Sequence, residues 1–537
     1  MLDVLDAFRI RFGARPLLLS LAVLGLLYLV SRSGLARPSQ ERWTAIAKWA
    51  IGIAGVAGLV AYAVSAVWYA SDPHFFDNAE PTMISVGWLF HAGQPIYHAV
   101  DAPERYALIY GPLAYIVHGI ALSMFGPNIG VSKALGAAAG LASVALTYAA
   151  VRRHETPARG AIAAGIYALI LLLFRHYSFW TRPEPFQLCA AAASLVFAVR
   201  SRGIAGAIAA GAASGVLWNL KFTGPLYSIP IFVLLHRRAG WRATIAAVVT
   251  GVVAAALPFI VFSNVSLADY VAWVRLSART GLLLSTLRQN LEWTAFLLLP
   301  ILISHFGSIA DERQRDSRDR AVLISLVVGA VGVVVAGAKP GAGPYHLMPF
   351  LPAIAYLVSC NTSRISPASR MDAAVSRGAI AFVVVAVAVA TVQQTQLTAT
   401  MMRKRPVQEI ADIEAFASTH RGTIAMGYGS TEAASLARPI LTFRSNTYLI
   451  DQPAVREHQL AGIEVPQSTA DAVASCRVDY WLVPKGEAPF SGVNGYAAVL
   501  LRPLYPETFR RAFLSTHLRV SETTYYDVWQ CQRAGGK

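Results

Sequence analysis

Trp68 to Gly111 reads WYASDPHFFDNAEPTMISVGWLFHAGQPIYHAVDAPERYALIYG, and its position between long apolar runs decides how the rest of the chain is organised. The stretch gathers Asp72, Asp77, Glu80, Asp101 and Glu104 in a chain in which only 14% of residues are charged. An acidic, aromatic loop hung between membrane helices is where a membrane enzyme keeps its chemistry. The remainder reads as the scaffold that holds this loop at a membrane face.

Working outward, the composition excludes a soluble globule. Soluble domains carry about a quarter charged residues, whereas here 55% of residues are hydrophobic and the mean hydropathy is +0.48. The net charge of +16 lies mostly before Arg403, in short basic loops between apolar runs. That placement is a topology signal rather than a nucleic-acid surface.

A span of the hydrocarbon core takes about 20 apolar residues. Runs near that length fall at 15–32, 44–70, 129–151, 158–175, 183–200, 203–219, 222–236, 241–262, 290–309, 320–337, 345–361 and 376–398. The first follows Arg9, Arg11 and Arg15 and reads as a retained helix or anchor, too long for a signal-peptide core. The basic segments between runs, such as 152–159 and 236–242, are expected in the cytoplasm, and 71–107, 176–183, 219–222, 263–289 and 338–345 outside. This alternation closes only if 108–126, with Pro112 and His118, lies in the interface instead of crossing. The expected fold class is mainly α: a polytopic transmembrane bundle of about 11–13 helices, residues 1–398, with an acidic first outer loop at 71–128. Residues 399–537 are expected to form a small extracytoplasmic α/β domain.

Within the tail, helices are expected near 406–419, 431–437, 467–476 and 506–516, and strands near 422–428, 439–443, 478–484 and 517–531. Cys476 and Cys531 can pair if the tail faces an oxidising compartment. Gly427-Tyr-Gly-Ser follows a strand, and an ordinary turn is the favoured reading over a phosphate cradle. The amphipathic stretch 263–289, with Trp273, Arg275, Arg279 and Arg288, reads as a surface helix or as a clamp on a lipid phosphate.

Candidate chemistry starts with Asp77, Asp72 and Glu80. Asp77 and Glu80 are three apart and share a face of a helix starting near Asn78. A carboxylate there takes a proton from an attacking group or helps to hold a divalent cation; helix capping is the structural alternative. Arg182, Glu184, Lys221, Lys339 and His346 stand at the ends of apolar runs on the same expected face. Ionisable groups there are costly unless they face a cavity or a partner, and their convergence points to an anionic ligand. Snorkelling is the plainer account of Lys221 and Lys339.

The order of these parts resembles the GT-C glycosyltransferases, in particular relatives of bacterial aminoarabinose transferase and the protein O-mannosyltransferases. The resemblance rests on HFFDNAEPTMISVGWLFHAGQPIY, YGPLAYIVHGIALSMFG, TYAAVRR, LWNLKFTGPLYSIP and PYHLMPFLPAIAYL, in that order, over most of residues 44–361. It implies an inverting transfer, at the outer face of a bacterial inner membrane, of a sugar from a polyprenyl-phosphate donor to a lipid, glycan or protein. Asp77 at the first position of the acidic motif, or Asp72 just before the motif, would take the acceptor-activating role, with Glu80 as a displaced second acid; Asn78 stands where the family more often has a second acid. Lys221, Arg182, Lys339 and His346 would hold the donor phosphate, and Glu184, Tyr110 and Tyr345 would line the substrate. No nucleotide cofactor is expected, since no G-x-G-x-x-G unit is present. A divalent cation and the membrane lipid itself are the other expected partners; nucleic acid is not. The rival reading is a transporter or flippase of a lipid-linked sugar, but the internal repeat common in such proteins is not found.

Overall fold

The computed structural model of the chain describes residues 18–19, 21–23, 25–26, 40–106, 108–153, 155–200, 203–309, 317–363, 370–430, 435–494 and 502–532. The expected first run, 15–32, lies largely outside these. The others appear as helices: Gln40–Ser71, Ile129–Val151, Pro157–Leu172, Pro183–Arg200, Ile204–Leu220, Gly224–Val261, Leu284–Ile309, Ser317–Ala336, Leu351–Thr362 and Arg370–Met401. Among the described residues, four helices are long and apolar enough to cross a membrane: Ala45–Ser71, Ile129–Val151, Gly224–Val261 and Val375–Thr419. The expected pair 222–236 and 241–262 forms one helical run broken at Gly240, whose φ of 80° is left-handed. Glycine tolerates that value, so it marks the corner between the two apolar segments.

By compactness the chain divides into two units, each assembled from three segments. The first comprises Met1–Tyr69, Gly136–Ala255 and Leu282–Met401. Its helices meet through small residues. A side chain on Gly165 would strike the backbone of Gly55, and one on Gly211 would strike that of Ala247. Such close crossings replace the hydrophobic drive that lipid removes.

The second unit comprises Ala70–Leu135, Ala256–Gly281 and Met402–Lys537. In it, helix Ala79–His91 packs on helix Pro112–Phe125 through Gly87 and Gly119, which leave no room for a Cβ between them. Pro112–Phe125 has 14 residues, about 21 Å at 1.5 Å per residue, short of a bilayer core of about 30 Å. His118 is fully buried in it.

The tail carries a four-stranded sheet in the order β1-β2-β4-β3, with β1 Ile424–Met426, β2 Tyr480–Pro484, β3 His517–Glu522 and β4 Tyr526–Cys531. β1 and β2 are parallel; β2–β4 and β4–β3 are antiparallel. The single run expected at 517–531 is thus a hairpin. Residues 439–443, expected as a strand, lie in the helix Pro439–Ser445. Pro439 in its first turn favours a helix start, and Thr442 hydrogen-bonds Ser85 (3.4 Å). Helix Gln452–Leu460 was absent from the sequence reading; Asp451 caps it by accepting from the Ala454 N–H. Cys476 and Cys531 form a disulfide with Cα atoms 5.6 Å apart.

One further expectation holds and another changes. The turn at Gly427–Ser430 is no phosphate cradle: Ser430 donates to Glu487 (2.9 Å), and a Cβ on Gly429 would collide with that carboxylate. An anion already occupies the place a phosphate would need. In 263–289, helix Leu267–Ser277 is capped by Ser266, but Trp273 does not lie on headgroups. It is buried, donates to the His98 carbonyl (2.8 Å) and stacks on His458 with centroids 4.1 Å apart.

Candidate functional site

In the first unit, helix Ile204–Leu220 ends as Lys221 turns to extended backbone (φ −161°, ψ 143°), and helix Gly224–Val261 begins three residues later. The break leaves the Lys221 amine at a helix end, directed inward. It meets Glu184, the second residue of helix Pro183–Arg200, with Nζ 2.8 Å from Oε1. Glu184 Oε2 accepts from Trp180 Nε1 (2.9 Å) and pairs with Arg182 Nε at 3.9 Å.

The 3₁₀ turn Pro344–Phe350 closes the group. Arg182 donates to the Tyr345 hydroxyl (3.2 Å) and lies 4.2 Å from the Trp180 ring centre. His346 Nδ1 is 3.3 Å from Lys221 Nζ, and Tyr227 holds the His346 carbonyl at 2.8 Å. Lys339 stands over the Phe222 ring at 5.0 Å. Arg182, Glu184, Lys221, Tyr345 and His346, chosen from three separate places in the sequence, therefore form one cluster. It is buried and carries two cations about one carboxylate. A buried carboxylate survives only because it is paired and hydrogen-bonded, and the second cation leaves a surplus positive charge suited to a phosphate.

The acidic loop belongs to the second unit. There the carboxylates accept from backbone N–H groups, and the buried Lys133 lies within electrostatic reach of Glu80 and Asp72. Asp77 Oδ1 accepts from Ala79 N (2.8 Å), which satisfies an otherwise unpaired donor at the start of helix Ala79–His91. Glu80, fully buried, accepts from Phe76 N (3.0 Å). Asp72 holds His74 through both its backbone N–H and its ring, and His74 Nε2 reaches the Arg403 carbonyl at 2.6 Å. Asp72 also lines a cavity of about 500 Å³ together with Asn128, Glu414 and Arg444. Tyr110 is buried in the same unit, its carbonyl accepting from Tyr97 (2.6 Å). Among the described residues no group of three or more His, Cys, Asp or Glu side chains is arranged to hold a metal ion.

Three features here escaped the sequence reading. Lys133, a lone cation in the apolar run 129–151, donates to the carbonyls of Asp72 and His74, the latter at 2.6 Å; the same signal that marked Lys221 would have found it. Arg438 and Asp451 form a buried ion pair at 2.9 Å that clamps the acidic loop's helix. Arg438 donates to the Asn78 carbonyl and to Thr82 (2.8 Å), and Thr82 donates to Asp451 (3.0 Å). Burial pushes the Asp451 carboxyl up, while Arg438, Tyr448, Thr82 and the Ala454 N–H pull it back. His98, between Tyr106, Trp273 and His458, is held neutral by burial, which lowers it to about 4. Nothing local in sequence pairs these residues.

Residues 106–360 match glycosyltransferase family 87. No curated protein matches the chain significantly. Among solved structures, the chain resembles ArnT from Cupriavidus metallidurans bound to undecaprenyl phosphate, with a TM-score of 0.52 at 14% identity, covering 90% of this chain and 98% of that one. The apo state of the same ArnT gives a TM-score of 0.50 at 14% identity and the same coverage. At that identity the likeness is one of fold, and the family match carries the activity. The chain is a membrane glycosyltransferase with the GT-C fold.

Proposed function

We propose that this protein moves a sugar from a polyprenyl-phosphate donor to a lipid, glycan or protein acceptor at the outer face of a bacterial inner membrane, through a bundle of about 11–13 helices (1–398) and an extracytoplasmic tail (399–537). The observation that supports it most is the Arg182–Glu184–Lys221 cluster, two cations about one buried carboxylate. Its surplus charge suits a lipid-linked phosphate, and the ArnT of similar fold is known with undecaprenyl phosphate bound. A transporter of lipid-linked sugar is disfavoured by the match to a glycosyltransferase family.

The reaction is a single displacement with inversion. The acceptor oxygen attacks the anomeric carbon, its proton passes to Asp77, and the bond from that carbon to the phosphate oxygen breaks with its electron pair going to the departing polyprenyl phosphate. Lys221 and Arg182, aided by Lys339 and His346, stabilise the charge developing on that oxygen. Glu184 holds Lys221 and Arg182 in place, and Tyr345 and Tyr110 face substrate. Asp72 and Glu80 orient the loop. The carrier supplies its own leaving group, so no nucleotide takes part.

The test is transfer of radiolabelled sugar from a polyprenyl-phosphate donor by the purified protein. Asp77→Asn is expected to lose about 10²–10⁴-fold, the span of general-base catalysis. Full activity in that variant removes Asp77 from the proposal, and a comparable loss in Asp72→Asn alone would move the role to Asp72. Movement of the lipid across vesicles without sugar transfer would favour the transporter.

A further inference from the structure

The first unit has a cavity of its own, of about 530 Å³, lined from Lys48 and Arg159 to Leu351. Its polar groups gather at one end. Lys48 lies there on helix Gln40–Ser71, Arg159 in the first turn of helix Pro157–Leu172, and Glu155 just before that helix. The cavity runs on past Ile162 and Ile354 to Ile170 and Leu351. From Arg159 to Ile170 is about 16 Å at 1.5 Å per residue. Beyond its polar rim the lining is apolar almost throughout.

We propose that this groove seats one acyl chain of an anionic phospholipid from the surrounding bilayer, with its phosphate at Lys48 and Arg159. Three observations converge on that occupant. The size falls within the range of small-molecule sites, about 300–1,000 Å³. The helices that wall the groove turn apolar side chains outward beside it, Ile53 at 66% and Val384 at 52% exposed, and in a membrane-spanning protein such faces meet lipid. The rim carries two exposed cations, of which Arg159 is partly neutralised by Glu155 at 3.6 Å, so a net positive charge stands where a headgroup phosphate would sit. The bulk phospholipids surround these helices in large excess, and mass action favours them over a scarce carrier lipid. The site is independent of the reading of the Glu184 cluster.

Photolabelling of the full chain in lipid nanodiscs tests this. The probe is a trace of phosphatidylglycerol with a photoactivatable acyl chain, compared with the matching phosphatidylcholine. Adducts are expected on Ile162 and Ile354 with phosphatidylglycerol. At about 1 kcal/mol per cation, the double variant Lys48→Gln/Arg159→Gln should form at least about tenfold fewer. Ala355→Trp, which fills the groove, should abolish them, while adducts on the outward-facing Ile53 persist and report an intact fold. Equal labelling by the two lipids, unchanged labelling in the double variant, or displacement by a small mole fraction of polyprenyl phosphate would each overturn the proposal, the last by showing that the groove serves the carrier.

Discussion

The cationic cluster and the acidic loop are built from similar residues and solve opposite problems. At Glu184 a buried carboxylate is neutralised by side-chain cations, Lys221 at 2.8 Å and Arg182 at 3.9 Å. At Asp77 and Glu80 the carboxylates accept from backbone N–H groups of their own turn, and the lysine nearby, Lys133, donates to carbonyls while its charge also acts on Glu80. In the first region, removing one charge strands another inside the protein. In the second, Asp77 can be changed at the cost of a local hydrogen bond to Ala79. Asp77 can therefore be altered with the loop's fold intact, whereas the cluster cannot be altered one residue at a time.

That contrast can be broken in order of size. The largest effect is the loss of transfer in Asp77→Asn, which keeps an oxygen to accept from Ala79 and should leave the Tm within a few degrees of wild type. Next, Lys221→Met leaves Glu184 buried with its main partner gone. About 3–5 kcal/mol of stability should go with it, read as a marked fall in Tm in detergent. Lys221→Met/Glu184→Gln should regain most of that stability and none of the activity; a single variant as stable as wild type would show that the pair is not what holds the cluster.

A smaller effect is set by pH. Folding lowers His98 to about 4 from an ordinary value of 6.5, so between those values the unfolded chain binds the extra proton. Stability of the second unit is then fully present above about pH 6.5 and is lost as pH falls towards 4, by up to about 3 kcal/mol. His98→Gln should flatten that slope in Tm measured from pH 7 to pH 4.5, and an unchanged slope would assign it to other groups. The smallest is Glu80→Ala, which leaves the Phe76 N–H without this acceptor and should cost about 1–3 kcal/mol. Glu80→Gln should restore most of it, and no loss in the alanine variant would show that water takes the place of the carboxylate.

Hydropathy alone located the helices of the first unit well, because a segment crossing lipid must satisfy its backbone internally and expose apolar side chains, a requirement met residue by residue. Ile129–Val151 and Pro183–Arg200 fall where the runs predicted. The tail was less legible. Residues 439–443 have the composition of a strand, and only the proline that begins them and the contact of Thr442 with Ser85 make them helical.

By itself the sequence determined a polytopic membrane chain, the acidic loop, and the ionisable residues at helix ends that make up the Glu184 cluster, since an ionisable group in an apolar run is rare enough to stand out. Only the tertiary structure decided how those groups are paired. It gave Asp77 and Glu80 to backbone donors, Lys133 to carbonyls, and the start of helix Ala79–His91 to Arg438, more than 350 residues away. The reason is physical: composition reveals the cost of burying a charge, but the partner that offsets it is chosen by proximity in space, which pattern and spacing along the chain do not encode.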